Sequence, residues 1–403
     1  LPRPPATRRR RRRTTVRFAV CFGMLGTGSA NLRLQRRIGP RRTGGLEPFA
    51  RERNRRGRHL GPARPYPENA VVARHLPAMI VSLPPAPPAL VEPASARPCD
   101  AATRARLLSP PSPGDEAVSL ACSIGLSPGD HVLRRVVIEG AEASGTEIDC
   151  GGATIGRTEP APTLAELAVE IRSRAPTGAG GIWSRPSGVT LRNCRILGHI
   201  RVWGMGLNGQ GLAVKASSHS LGHTERAQAA APTQVAIRDS TITALGHIPI
   251  YLAPGVTRFT LQGSTLNGRS GADAIYLDAE SADNVIADNT IDVAIGREAI
   301  AVDGSARNRI IGNRIAQHGQ GGVRLYRNCG EGGTVRHQSP SDNVITGNVF
   351  TGGGGLFGST AIVVNSRGGW RLYCGQDAGY PFGSSRDDAD GGTGNVVEPN
   401  TSE

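Results

Sequence analysis

Hydrophobic and polar residues alternate in short runs over most of the chain beyond residue 140, and Gly or Asn interrupts each run. The stretch Val235 to Thr243 reads VAIRDSTIT. It returns as FTLQGSTLN from Phe259, NVIADNTID from Asn284, NRIIGNRIA from Asn308 and NVITGNVFT from Asn343. The starts lie 24, 25, 24 and 35 residues apart, the last step lengthened by an insertion around Gly330 to Ser339. Upstream, VTLRNCRIL from Val189 is a clear copy and EIDCGGATI from Glu147 a degenerate one, and Asn395 to Asn400 is a truncated copy. Each repeat has a second half, a Gly and then Ile/Val-x-Leu/Val, as in Ile250-Tyr-Leu252, Ile275-Tyr-Leu277, Ile300-Ala-Val302, Val323-Arg-Leu325 and Ile362-Val-Val364. Period-two runs broken by turn residues predict strands and tight turns, and helices of about 10–15 residues between the strands are absent. One repeat per rung of a parallel β-helix solenoid accounts for the period.

In such a coil, equivalent residues stack ~4.8 Å apart from rung to rung. Leu191, Ile237, Leu261, Ile286, Ile310 and Ile345 then form one internal column, and Ile196, Ile242, Leu266, Ile291, Ile315 and Phe350 another. Cys194, Ser240, Ser264, Asn289, Asn313, Asn348 and Asn400 fall in one file at a turn, where stacked amides bond along the file.

These repeats resemble those of the right-handed parallel β-helix proteins, the pectate-lyase-like superfamily, over about residues 140–400. The resemblance implies an all-β fold, a single-stranded right-handed parallel β-helix with loop insertions. That superfamily includes polysaccharide lyases, glycoside hydrolases and uronan epimerases, beside proteins without known catalysis. The Asn-Thr-Asp and Gly-His-Gly series of polygalacturonases and the Asp-Pro-His-Asp of alginate epimerases are missing here. So is the Arg-containing signature of pectate lyases, and no site residue is carried over.

Site candidates come instead from the outward positions of the second half-repeat. If Ile250, Ile275, Ile300, Val323 and Ile362 face inward, one outward file is Tyr251, Tyr276, Ala301, Arg324 and Val363. Its neighbour is Ala253, Asp278, Asp303, Tyr326 and Asn365. A looser third file holds Gly255, Glu280, Ser305, Asn328 and Arg367. Matching Gly198-His199 to Gly246-His247 adds Trp203 to the aromatic file, and Val169 to Arg174 adds Glu170 and Arg172.

Asp278 and Asp303, adjacent in one file, either repel and raise one pKa or share a cation. A protonated partner is a general acid, and with Glu280 the pair is a candidate calcium set. Arg324 is placed to bind a sugar carboxylate beside Tyr326. Trp203, Tyr251 and Tyr276 offer flat faces to pyranose rings, with Glu280, Asn365 and Arg367 flanking them. Glu298 and Asp273 precede their strands at turns, and a solvated surface network is the plain alternative for the whole strip.

Two insertions are expected to wall the strip: residues 206–233, with Lys215, His219 and His223, and residues 327–337, with Cys329 and His337. Lys215 is the chain's one lysine, and lysine is tunable as a base; His219 is a base at its ordinary pKa.

Charge changes the picture less than its total suggests. The net charge is +14, yet residues 1–98 hold 21 Arg and 4 Glu, and the remainder is −3. The unbroken Arg run from Arg8 to Arg13, without a periodic apolar pattern, predicts a disordered tail over 1–98, an export signal or an over-extended start. It lacks aromatic interleaving, so a nucleic-acid partner is not expected. Residues 99–145 read as an N-terminal cap and 146–403 as the coil. Six cysteines follow the tail, permitting disulfides in an oxidising compartment, with Cys329–Cys374 the favoured pair.

The expectation is a secreted, periplasmic or cell-surface protein without a membrane span, monomeric, with a polysaccharide or glycan partner. Its chemistry is expected to be that of a lyase or C5-epimerase on an acidic polysaccharide. The alternatives are a glycoside hydrolase using Asp278 and Asp303, or a surface protein that binds glycan without turnover.

Overall fold

The computed structural model describes residues 96–159, 163, 167–178, 181–318, 320–353, 360–367, 375–376, 380–382 and 391–403. The tail expected over 1–98, with its export signal, therefore lies almost wholly outside the described residues. Strands of two to six residues build three sheets of nine, eight and nine strands, and every strand pairing within them is parallel. Ala236–Arg238, Thr241–Gly246 and Ile250–Leu252 make one rung. Thr260–Gln262, Thr265–Ser270 and Ile275–Leu277 make the next, paired with the first in all three sheets. The fold is a parallel β-helix.

The sequence columns are the observed register. Leu191 pairs with Ile237, then Leu261, Ile286, Ile310 and Ile345. Ile196 pairs with Ile242, then Leu266, Ile291, Ile315 and Phe350. All are buried in a continuous core. Truncating one such Leu or Ile to Ala costs about 2–5 kcal/mol.

The turn file is bonded end to end. The Oδ1 of Asn313 accepts from the backbone N–H and the side-chain amide of Asn289, at 3.0 and 2.9 Å. Asn348 does the same for Asn313, and Asn400 for Asn348. Toward the N-terminus, Ser264 and Ser240 hydroxyls accept from the backbone alone. The residue before each file member from Cys194 to Asn348 has positive φ, which explains Asn193, Asp239, Asp288, Gly263, Gly312 and Gly347 there. A second ladder, not anticipated, runs through Asn284, Asn308, Asn343 and Asn395.

One detail differs from the sequence reading. The ladders start at Ala117, Ile124 and His131, inside the segment expected to be a cap. Those first rungs lack the Asn signature, and the capping element is α1 (Ala101–Leu108), which buries Leu107. The disulfides Cys99–Cys122 and Cys150–Cys194 staple the early rungs. Cys329 is also disulfide-bonded, while Cys374 lies outside the described residues. Among the described residues no helix is long and apolar enough to cross a membrane.

Candidate functional site

Period-two alternation turns two files of the first sheet away from the core. Glu170, Arg201, Tyr251, Tyr276, Ala301, Arg324 and Val363 are in register in one. In the other, Glu139 pairs with Arg172 and Arg172 with Trp203, and Asp303 pairs with Tyr326. The aromatic file thus receives Arg201, not Trp203. The Gly-His dipeptides at 198 and 246 match, but Ile248 and Pro249 intervene before the second strand, shifting the register by two.

Outward does not mean exposed. Asp278 is 1 % exposed, and Asp303, Glu280 and Tyr326 are 0 % exposed. Two insertions lie over Asp278, Asp303 and Glu280. The first carries helices α2 (Leu212–Ser218) and α3 (His223–Ala230), and the second is the 327–338 loop. Glu280, whose backbone is left-handed (φ 64°), is their common anchor. It accepts from the Thr224 hydroxyl on α3 and from the backbone N–H groups of His337 (2.7 Å) and Gln338 (3.1 Å). The insertions also bond to each other, Val335 N–H to Ser218 Oγ at 3.0 Å and His219 Nε2 to the Gly333 carbonyl at 2.9 Å.

Beneath this cover the phenols and carboxylates pair one to one. The Tyr251 hydroxyl donates to Asp278 at 2.5 Å and the Tyr276 hydroxyl to Asp303 at 2.7 Å. The two rings stack at 5.0 Å with 7° between planes. Arg336, from the loop, reaches Asp278 at 3.3 Å with both side chains at 2 % exposure. Asp278 Oδ1 also accepts from the Ala279 N–H, and Asp303 Oδ1 from the Asn328 N–H.

Burial pushes the Asp303 carboxyl up to about 6, with Arg336 pulling it down and Asp278 pushing it up. Burial, reinforced by Asp278 and Asp303 respectively, holds the Tyr251 and Tyr276 phenols well above their usual range. Burial alone would lower Arg336, but Asp278 and Asp303 more than offset it.

At the upstream end Arg201 lies 3.9 Å from the Tyr251 ring centroid and is 6 % exposed. Among the described residues no carboxylate ion-pairs with it, and burial lowers its pKa. Beside it, Trp203 is half-buried and donates to Glu170 at 2.9 Å, with Arg172 over its ring. At the downstream end Glu298 lies 3.8 Å from Arg324 and 3.7 Å from Arg367, which covers the Tyr326 ring. Next to Glu298 is Asp273, fully buried and without a hydrogen bond from a described residue. Burial, then Glu298, raises its carboxyl to about 8.

The structure thus brings together Tyr251, Tyr276, Asp278, Asp303 and Tyr326, with Arg324 and Arg367 at one end and Trp203 near the other. It does not bring Lys215 or His219 to the carboxylates. Lys215 lies on α2 against the loop backbone at Gly333, and His219 stacks on Tyr380 at 4.6 Å. Asn365 donates to the Gly392 carbonyl instead of facing the strip. The expected calcium set does not converge: Glu280 turns its oxygens to the insertions, and no three metal-ligating side chains cluster among the described residues. Arg336 went unrecognised because its loop has no period to say which side chain points inward. Arg201 was legible, since Ile200-Arg-Val202 matches Ile250-Tyr-Leu252 directly.

Residues 180–369 match the family described as right handed beta helix region, and the chain is a right-handed parallel β-helix. No curated protein sequence matches it at a significant level. Similar solved structures include a surface adhesin of Streptococcus pneumoniae, at 15 % identity and TM-score 0.32, covering 60 % of this chain and 60 % of that one. The A-module of a mannuronan C-5 epimerase from Azotobacter vinelandii is similar at 14 % identity and TM-score 0.31, covering 70 % and 78 %. An alginate lyase from a Paenibacillus species is similar at 11 % identity and TM-score 0.29, covering 71 % and 88 %. Likeness of this degree carries no chemistry from those proteins to this chain.

Proposed function

We propose that this chain is an extracytoplasmic β-helix protein that acts on an acidic polysaccharide by lyase or C5-epimerase chemistry. One observation carries the reading. Two stacked phenols, each bonded to its own buried carboxylate, adjoin Arg201, a buried guanidinium with no ion pair to a described carboxylate. A buried cation of this kind suits a carboxylate that arrives with the ligand, and perturbed titratable groups concentrate at functional sites. The two disulfides support an oxidising compartment.

In this reading Arg201 neutralises the uronate carboxylate and so acidifies C5–H. Tyr276 takes that proton while its own passes to Asp303. Tyr251 then donates its proton, to the departing glycosidic oxygen in elimination or to C5 in epimerisation, and exchange with solvent removes the proton from Asp303 and restores that of Tyr251. A hydrolase using Asp278 and Asp303 is less favoured, because both already hold phenols. The second reading, glycan binding without turnover, is favoured by the internal bonding of those same carboxylates.

The test is a panel of polymannuronate, polyguluronate and polygalacturonate, followed by absorbance of unsaturated uronate and by proton NMR for epimerisation. Turnover abolished by Tyr276→Phe and by Arg201→Ala is expected. Turnover that survives both variants refutes the assignment, and binding without product in either assay selects the second reading.

A further inference from the structure

The proposed chemistry and the cover make conflicting demands, because a sugar cannot reach Asp278 or Asp303 while both insertions lie over them. The cover's attachments resolve the conflict. Glu280 is a single side chain holding both leaves, α3 through Thr224 and the loop through the His337 and Gln338 amides. Two glycines seat the leaves closely. Gly255 (φ 86°) lets the α3 backbone at Ala227 approach the rung, and a Cβ on Gly209 would overlap the Arg336 guanidinium. The first leaf thus makes room for the residue that the second leaf delivers to Asp278.

We propose that the two insertions are one two-leaf closure latched by Glu280, opening as a unit to admit the polysaccharide and completing the site with Arg336 on closing. The proposal rests on the glycan reading of the strip. With Arg336 withdrawn, Asp278 loses the cation ion-paired with it and Gly209 its neighbour, so the half-open state is disfavoured. Leaves that share an anchor and bond directly to each other, at Val335–Ser218 and His219–Gly333, have no reason to open separately.

Hydrogen exchange of the full chain tests the latch. The amides of Val335, His337 and Gln338 and those of α2 and α3 are expected to exchange with one common opening rate, faster than rung amides such as Asp278. Glu280→Gln should accelerate both leaves together by about tenfold, the loss of one charge-assisted hydrogen bond. Thr224→Val, a milder lesion, should move both leaves in the same direction if Glu280→Gln fails to fold. Acceleration of one leaf alone, or exchange of the cover only with the rungs, overturns the latch. An added oligouronate of six to eight sugars, about the span of the strip, is expected to change exchange in both leaves. Coupled leaves indifferent to every oligouronate overturn admission of the polysaccharide, and with it the glycan reading, but not the mechanical coupling.

Discussion

The Asn file at the turn and the Tyr–Asp strip of the first sheet are both buried, polar and hydrogen-bonded, yet they obey different rules. Each Asn bonds to its counterpart one rung away, so the repeat itself satisfies the file. Each carboxylate of the strip depends on something outside its own file: a phenol of the neighbouring file, a loop amide, or Arg336. Periodicity solves the burial of a neutral amide by repetition. A buried charge needs a partner of another kind, and here insertions bring it. The difference separates residues that maintain the coil from residues that an occupant or a moving loop could re-pair.

The largest effect expected from breaking this contrast is in the Asn file. Asn313→Leu removes the acceptor of two Asn289 donors and takes the side-chain amide donor from the Ile286 carbonyl and from Asn348, which keeps the backbone N–H of residue 313. The lost buried bonds, with the Asn289 backbone N–H orphaned, cost about 4 kcal/mol together. Thermal unfolding should show it regardless of any ligand. A loss under about 1 kcal/mol means the file tolerates a gap, and its continuity is then not what stabilises the turn.

Second comes the strip's cation. Arg336→Met leaves Asp278 buried and uncompensated, at about 3 kcal/mol, but Arg336→Met with Asp278→Asn should recover much of that loss. No equivalent rescue exists in the Asn file, because no pair of charges is being balanced there. Equal stability of the single and double variants, read by chemical denaturation, contradicts the assigned coupling.

The two files also differ in legibility. The core columns and the Asn file could be read from the sequence because one period fixes both spacing and facing, as with Ile237, Leu261 and Ile286. The outward files were readable in the same way from Tyr251 to the Asp303–Tyr326 register, but not at Trp203, where Ile248 and Pro249 shift the match by two. What could not be read is burial. Asp278 looks like a surface residue until residues with no period, Arg336 and Thr224, fold over it and its neighbour Glu280. A local repeat predicts which way a side chain points but not what lands on it.

pH distinguishes the regions third, since the Asn file has nothing to titrate. Asp273, adjoining the strip, holds its proton up to about 8 in the fold and only to about 4 when unfolded. Between those values the native state binds more protons than the unfolded chain, so this group's stabilisation falls as pH rises. His199 and His223 are lowered to about 3, chiefly by burial, and act oppositely, with stability falling as pH drops below about 6.5. Asp303, at about 6, adds its decline only below that pH. From pH 6.5 to 8 the Asp273 contribution remains, a decline of at most about 1.4 kcal/mol per pH unit. Asp273→Asn should flatten it, and a slope shared by wild type and variant assigns the proton elsewhere.

The smallest effect on stability sharpens the comparison most. Tyr276→Phe removes one hydroxyl from Asp303 Oδ2 and keeps the ring stacked on Tyr251, so about 1–2 kcal/mol is at stake. The Asn289 side chain, Ser-like in its upstream neighbours, offers the matched control: Asn289→Ser keeps an acceptor for the Ser264 N–H and should cost a similar amount. If the strip is only a structural network, the two variants differ in nothing but stability, and glycan turnover or binding follows the fraction folded in both. If Tyr276 relays a proton to Asp303, turnover disappears in Tyr276→Phe while Asn289→Ser retains it at equal stability. Side-by-side measurement of unfolding and uronate turnover in the two proteins separates a buried residue that holds the coil from one the coil holds for chemistry.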